Sequence, residues 1–137
     1  MFIVENMDLN LATTALNAAL EEARKNDLKM NIAIVDSGSH LVSFSRMDDS
    51  LLGSIDVSIK KAKTAVLLKA PTGEVGKLSQ PGGPIFGVEQ TNGGLITFPG
   101  GLPILNANGK LIGGIGVSGD SVTNDEKVAE AGRKAIQ

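Results

Sequence analysis

The eight residues from Gly113 to Asp120 read GGIGVSGD, and they limit the fold more than any other part of the chain. Gly114, Gly116 and Gly119 spell a literal G-x-G-x-x-G. Such a string cradles phosphate only when a strand feeds a glycine turn, a helix starts inside it, and a parallel strand with an acidic residue follows. Here Ile115, Val117 and Ser118 stand between the glycines, which is the composition of a strand. Upstream, Asn106-Ala107-Asn108-Gly109 is a strong hairpin signal, with Asn108-Gly109 suited to positive φ. Lys110 to Ser118 is therefore expected to be the second arm of a β-hairpin. Its glycines mark close backbone approach or bulges. A dinucleotide site is not expected.

The rest of the chain supplies elements to surround that strand. Asp8 to about Lys25 has helical periodicity in Leu9, Ala12, Leu16, Ala19, Leu20 and Ala23, with Asp8 as N-cap. Asn31–Val35 and Leu41–Arg46 read as two strands joined by Asp36-Ser37-Gly38-Ser39-His40, where Asp36 opens the turn and Gly38 supplies positive φ. Alternation puts Leu41, Ser43 and Ser45 on one face and Val42, Phe44 and Arg46 on the other.

Asp48-Asp49-Ser50 is expected to cap a second helix whose stripe is Leu52, Ile55, Ile59, Ala62 and Val66, with Lys60, Lys61 and Lys63 on the wet side and Pro71 as its stop. Thr72 to Ser79 suits a short helical turn. From Gln80 to Pro103, prolines and glycines interrupt any long element, and a loop of this length is usually functional or interfacial. Ile104-Leu105 then starts the second hairpin. Thr123-x-x-Glu126 reads as a capping box for a last helix with Val128, Ala131 and Ala135 inward. Gly132 in that helix suits close approach to a neighbouring backbone. The order α-β-β-α-(loop)-β-β-α is that of an α+β fold, an antiparallel β-sheet flanked by helices, in one domain spanning residues 1–137.

Composition shortens the menu of chemistry. Net charge is −2 and the aromatic residues are four Phe, which disfavours nucleic acid as a partner. No apolar run reaches membrane-spanning length, so no membrane association is expected. MFIVENMD lacks a cleavable apolar segment, and cysteine is absent, so a cytoplasmic protein is expected. With no Cys and a single histidine, His40, one chain cannot build a thiol nucleophile or a multi-histidine metal site.

Several blocks together resemble a known family. Ile34 to Asp48 (IVDSGSHLVSFSRMD) is similar to the VVDxGGHLVxFxRMD block of the GlcG/HbpS-like proteins, which also occur as the C-terminal domain of PduO-type corrinoid adenosyltransferases. Gly53-Ser54-Ile55-Asp56 with Lys60 to Ala65 resembles that family's GSIDIAxxKAxTA. Gly100 to Ile104 resembles GGxPI, and Ile112 to Gly119 resembles VGAIGVSG. The resemblance implies an antiparallel sheet flanked by helices, assembled as a homo-oligomer. It also implies a place beside glycolate, diol or corrinoid metabolism, and haem binding in some members. The first helix here has no histidine, where some relatives place an axial ligand.

Candidate residues keep more than one reading each. His40 is a haem ligand, or a proton shuttle, or a polar turn residue bonding local backbone. Met7, Met30 and Met47 are thioether ligands or core. Arg46 either clamps a carboxylate or propionate or pairs with Asp48 or Asp49. The Pro99-Gly100-Gly101 segment places backbone N–H groups, those of the two glycines, without side-chain cover, suited to an anion or to close packing of a partner subunit. Ser118, before the last helix, lies near its partly positive N-terminus, whose field Asp120 and Asp125 already meet in part.

These readings favour a small-ligand-binding accessory protein, with haem or another tetrapyrrole as ligand, over an enzyme. General acid–base work needs a well-placed titrating group that this composition scarcely offers. No cofactor is required, and haem is the group the resemblance admits. The alternatives are an enzyme acting on a small oxygenated carboxylate metabolite and a structural partner of a metabolic enzyme.

Overall fold

A computed structural model describes all 137 residues. Its elements are α1 (Leu9–Lys25), β1 (Asn31–Asp36), β2 (Leu41–Arg46), α2 (Gly53–Leu67), α3 (Thr72–Leu78), β3 (Gly101–Leu105), β4 (Leu111–Ser118) and α4 (Val122–Lys134), with one 3-10 turn at Val88–Gln90. This is the expected α+β order. The sheet is antiparallel throughout, in the order β2-β1-β4-β3.

The two sheet faces differ in residue size, and that difference decides what packs on each. Ile32, Ile34, Ile115 and Val117 join Leu102 and Ile104 in the main core beneath α1 and α4. The other face presents Ala33, Val35, Gly114 and Gly116, and α2 lies close against it. A Cβ on Gly114 would sit 2.8 Å from the Ala62 carbonyl oxygen. One on Gly116 would meet the Ser58 carbonyl and, at 2.5 Å, the Ala62 amide. GGIGVS is the end of a strand bared at Gly114 and Gly116 to receive a helix.

That close fit explains a correction on α2. Its buried face is Ser54, Ser58, Lys61, Ala62, Thr64, Ala65 and Val66, centred roughly one residue (~100°) away from the expected stripe, of which Ala62 and Val66 are buried as expected and Leu52, Ile55 and Ile59 are not. Only small side chains fit against the glycines, so Ile55 and Ile59 move to the flank and Leu52 is 71% exposed. Lys61, expected on the wet side, is fully buried. Nor do Asp48, Asp49 or Ser50 cap α2, whose N-cap position is Leu52 with no side-chain hydrogen bond. The helix ends at Leu67, before Pro71. Lys69, at φ 53°, closes it, with the Ala70 N–H bonding the Ala65 carbonyl and the Lys69 N–H that of Val66. Pro71 opens α3 instead.

Local chemistry elsewhere agrees with expectation or departs for identifiable reasons. Asp8 caps α1, its carboxylate accepting from the Leu11 N–H at 2.8 Å, while Leu9 of the expected stripe is exposed. In both hairpins an Asx side chain organises the turn. Asp36 Oδ1 accepts from the Gly38 and His40 N–H groups, and Asn106 Oδ1 from those of Asn108 and Lys110. The left-handed residue of each is the fourth, Ser39 and Gly109, not Gly38 or Asn108. Leu41 pairs with Val35 and Ser43 with Ile34, so Val42 is an inserted bulge residue. The bulge breaks the alternation: Val42 packs on the main core and Phe44 on the α2 side.

β3 begins at Gly101 and contains Pro103, which an edge strand tolerates because the N–H that proline lacks is not needed on its unpaired side. Ser121, not Thr123, caps α4, accepting from the Asn124 N–H at 3.2 Å. The buried face of α4 is Asp125, Val128, Ala129 and Gly132, so Ala131 lies at its margin and Ala135 is exposed. A Cβ on Gly132 would meet the Ala15 carbonyl of α1 at 2.9 Å.

Candidate functional site

The register gathers several of the singled-out residues at one end of the sheet. Arg46 on β2 stands opposite Asn31 on β1, which stands opposite Ser118 on β4. Beside Ser118, the Val117 N–H donates to the Gly100 carbonyl at 2.9 Å, bringing the Pro99-Gly100-Gly101 segment to the end of the same row. Three strand spacings make this row about 14 Å long. His40 lies at the other end of β2, six residues from Arg46 and roughly 20 Å away along an extended strand. Its side chain is 84% exposed, with Nδ1 3.6 Å from Asp36 Oδ1. The fold therefore does not bring His40 and Arg46 together.

Around Arg46 the surface opens into a cleft of about 350 Å³ lined by Leu20, Arg24, Lys29, Ser45, Arg46, Met47 and Asp48. Neither Asp48 nor Asp49 comes within ion-pair distance of Arg46. Lys29 makes one long contact, 3.7 Å, to the exposed Asp27. Three cations and one carboxylate thus face a cleft whose apolar residues are Leu20 and Met47. Such a surface attracts carboxylates.

Behind the Gly/Pro segment lies a group that the sequence reading misplaced. Lys61 Nζ donates to Asp125 Oδ2 at 2.9 Å and to the Val117 carbonyl at 2.8 Å, with the two side chains 0% and 3% exposed. Nζ lies 5.1 Å from the centre of the Phe98 ring, and the Asp120 N–H donates to Asp125 Oδ1 at 3.0 Å. Burial pushes the Lys61 pKa down and that of Asp125 up, and in each the partner's hydrogen bond and charge only partly oppose it. Thr72 ties down the same wall: its hydroxyl donates to the Phe98 carbonyl at 2.7 Å and accepts from the Gly101 N–H at 2.9 Å. That bond removes the Gly101 amide from the donors open to an anion. Ser118 is 6% exposed, and its hydroxyl bonds Ser54 Oγ at 3.0 Å.

Outside Pro99 a second cleft, about 320 Å³, carries Glu74, Lys77, Glu126, Glu130 and Arg133. Burial, with Glu130 adding to it, raises the Glu126 pKa. Met7 and Met30 are core residues, and Met47 packs at its margin with its sulfur accepting from the Met30 N–H at 3.4 Å. Lys61, Asp125, Asn31 and Thr72 are the residues that sequence reasoning missed. The spacing of Ser54, Ser58, Lys61 and Ala65 on one helical stripe was the available signal, since only a small-residue stripe can approach glycines so closely.

Fold and site together define a class: a three-layer α+β sandwich with a basic cleft at one sheet end and a glycine-bared strand at its centre. The chain belongs to the HbpS-like family, described as haem degrading protein HbpS-like, whose model matches residues 7–134. It is 40% identical over 121 residues to the corrinoid adenosyltransferase PduO of Salmonella typhimurium, covering 87% of this chain and 35% of that protein. It thus spans about a third of that relative. The structure of protein ORFY of Klebsiella pneumoniae superimposes with a TM-score of 0.95 at 32% identity, covering 98% of this chain and 93% of that one. That of the PduOC–haem complex gives 0.90 at 35% identity and 96% of both chains. No helix is long and apolar enough to cross a membrane.

Proposed function

We propose that this protein binds a small carboxylate-bearing ligand, haem or another tetrapyrrole, by its carboxylate edge at the Arg46 cleft. The convergence of Arg24, Lys29 and Arg46 beside Leu20 and Met47 carries the reading. Similarity to a haem complex of the same fold supports the choice of ligand. Pro99, Gly100, Gly101 and Ser118 form the fixed far end of the row. The residues fit the carboxylates of haem better than its iron: His40 is a strand's length away, and Met47 already accepts a hydrogen bond. Bound haem would supply a redox-active iron; the chain's own residues bind and orient the ligand.

Haemin titration followed by absorbance tests this. We expect a saturable Soret shift and at least tenfold weaker binding by Arg46→Glu, since a charge-assisted hydrogen bond is worth about 1.5–3 kcal/mol. His40→Asn is expected to leave the spectrum unchanged. Unaltered affinity in Arg46→Glu, or a spectrum lost in His40→Asn, would move the site elsewhere. The cleft volume also suits a small oxygenated carboxylate held whole, and an enzyme would then be the second reading. Calorimetric binding of such a carboxylate with no haemin binding would select it.

The working form in this reading is a homo-oligomer. Leu51, Leu52, Phe86 and Phe98 are exposed together with Phe2 and Ile3, more large apolar surface than a lone domain usually shows. Light scattering is expected to give a multiple of 14.1 kDa. The monomer mass at micromolar concentration would exclude assembly through these residues.

A further inference from the structure

The chain contains two Asn-Gly pairs, Asn92-Gly93 and Asn108-Gly109, and the fold treats them differently. Such a pair is open to ring closure because glycine has no side chain to shield its amide nitrogen from the asparagine before it. In the β3–β4 hairpin both reacting groups are held. The Gly109 N–H donates to the Asn106 carbonyl at 2.9 Å, and Asn108 Nδ2 donates to Glu5 Oε1 at 3.3 Å. The turn after the 3-10 helix is different. Asn92 and Gly93 are exposed, and the Gly93 N–H finds no acceptor within the chain. Nothing lies within 4 Å of the Cβ position of Gly93, and Asn92 Nδ2 donates only to the neighbouring Thr91 Oγ1, at 3.0 Å. Lys60 Nζ stands 3.4 Å from the Cβ position of the next residue, Gly94.

We propose that the fold directs spontaneous deamidation to Asn92 and protects Asn108. The Gly93 nitrogen gives up its proton and attacks Asn92 Cγ. The new N–Cγ bond closes a succinimide ring, the Cγ–Nδ2 bond breaks, and ammonia leaves with a proton. Water then opens the ring. Attack at Cγ gives aspartate, and attack at the main-chain carbonyl carbon gives isoaspartate, with the chain now running through the side chain. One water enters, one ammonia leaves, and nothing is oxidised or reduced. The Lys60 ammonium favours both the deprotonated nitrogen and the carboxylate product, although Asp56, at 3.0 Å, takes part of its charge. Isoaspartate lengthens the main chain by one methylene inside a turn closed by the Gly94 N–H on the Thr91 carbonyl at 2.9 Å. The next residue, Leu95, is 4% exposed, with its N–H bonded to the Glu89 carbonyl at 2.8 Å. The modification therefore loosens a plug of the Gly/Pro segment and adds a negative charge to it. The proposal rests on neither the ligand nor the Arg46 cleft, and failure of haemin to bind would leave it standing.

Peptide mapping by mass spectrometry tests it on the full folded chain, incubated at mildly alkaline pH and sampled over time. A parallel sample is kept unfolded in urea. The readouts are the mass change of amide to acid in each peptide and labelling of isoaspartate by an isoaspartyl methyltransferase. In heavy-oxygen water each converted residue should carry one heavy oxygen, which marks conversion during the incubation. We expect Asn92 to convert, with isoaspartate among its products. Asn108 should convert about tenfold more slowly, because the hydrogen bonds on Gly109 N–H and Asn108 Nδ2 must break first. In urea the two rates should draw together. No conversion at Asn92, equal rates in the folded chain, or faster loss at Asn108 overturns the proposal. So does a preference for Asn92 that persists unchanged in urea, since local sequence rather than the fold would then direct the reaction.

Discussion

Gly116→Val is expected to cost about 3 kcal/mol or more in a urea unfolding experiment, with a fall in melting temperature of roughly 10 °C. The new side chain would enter the space of the Ser58 carbonyl and the Ala62 amide, both backbone atoms of α2. A helix backbone cannot rotate aside as a side chain can. Either α2 lifts from the sheet, uncovering Ala33, Val35, Ala62 and Val66, or β4 bends away from β1 and β3. The effect should exceed the ~1 kcal/mol spread of strand propensity, which acts in the opposite direction because valine favours strands over glycine. Gly114→Val should behave alike, as its Cβ would crowd the Ala62 carbonyl and the Val66 side chain. NADH should give no thermal shift, whereas a bound ligand at a hundredfold its dissociation constant would add about 2.7 kcal/mol. Valine variants that stay stable but lose an NADH-dependent shift would restore the dinucleotide reading.

The second large effect concerns the Lys61–Asp125 pair. Lys61→Met removes the ammonium and leaves the Asp125 carboxylate, 3% exposed, with the Asp120 N–H and no counter-charge. Breaking a buried pair from one side costs about 3–5 kcal/mol. Asp125→Leu alone should be as damaging, since Lys61 Nζ keeps only the Val117 carbonyl and the Phe98 ring face. The double variant Lys61→Met/Asp125→Leu is expected to recover most of the loss. Burial already opposes the charged form of each partner, so two apolar side chains of similar volume suit the site well. A double-mutant cycle by urea denaturation measures the coupling. Losses that simply add would mean that the pair does not act as a unit and that its contribution is packing alone.

Much of the fold was legible because it rests on local chemistry. The Asp8 cap, the alanine and leucine stripe of α1, the two Asx-organised hairpins and the strand nature of GGIGVS follow from propensity, periodicity and turn stereochemistry within a few residues. Cβ-less positions 114 and 116 announced close approach, though not what approaches. The candidate site was less legible. Arg46 was identifiable as a candidate, but its company of Arg24, Lys29 and the row through Asn31 to Ser118 arises from register across strands far apart in sequence.

Periodicity failed where size outweighed hydrophobicity. On α2 the apolar stripe Leu52-Ile55-Ile59 predicts one face, yet glycines on β4 admit only the small face. The helix turns accordingly, Lys61 is carried inward, and Asp125 arrives 64 residues later in the chain to meet it. Likewise Asp48-Asp49-Ser50 has the composition of a cap, but where α2 begins is decided by its seat on the sheet, so the turn stays open. The sequence by itself determined which segments are helix or strand, because those choices are settled within a few residues. Tertiary structure alone decided which face of α2 is buried and which lysine is paired inside. Those outcomes depend on steric fit between segments distant along the chain, and no local pattern encodes that fit.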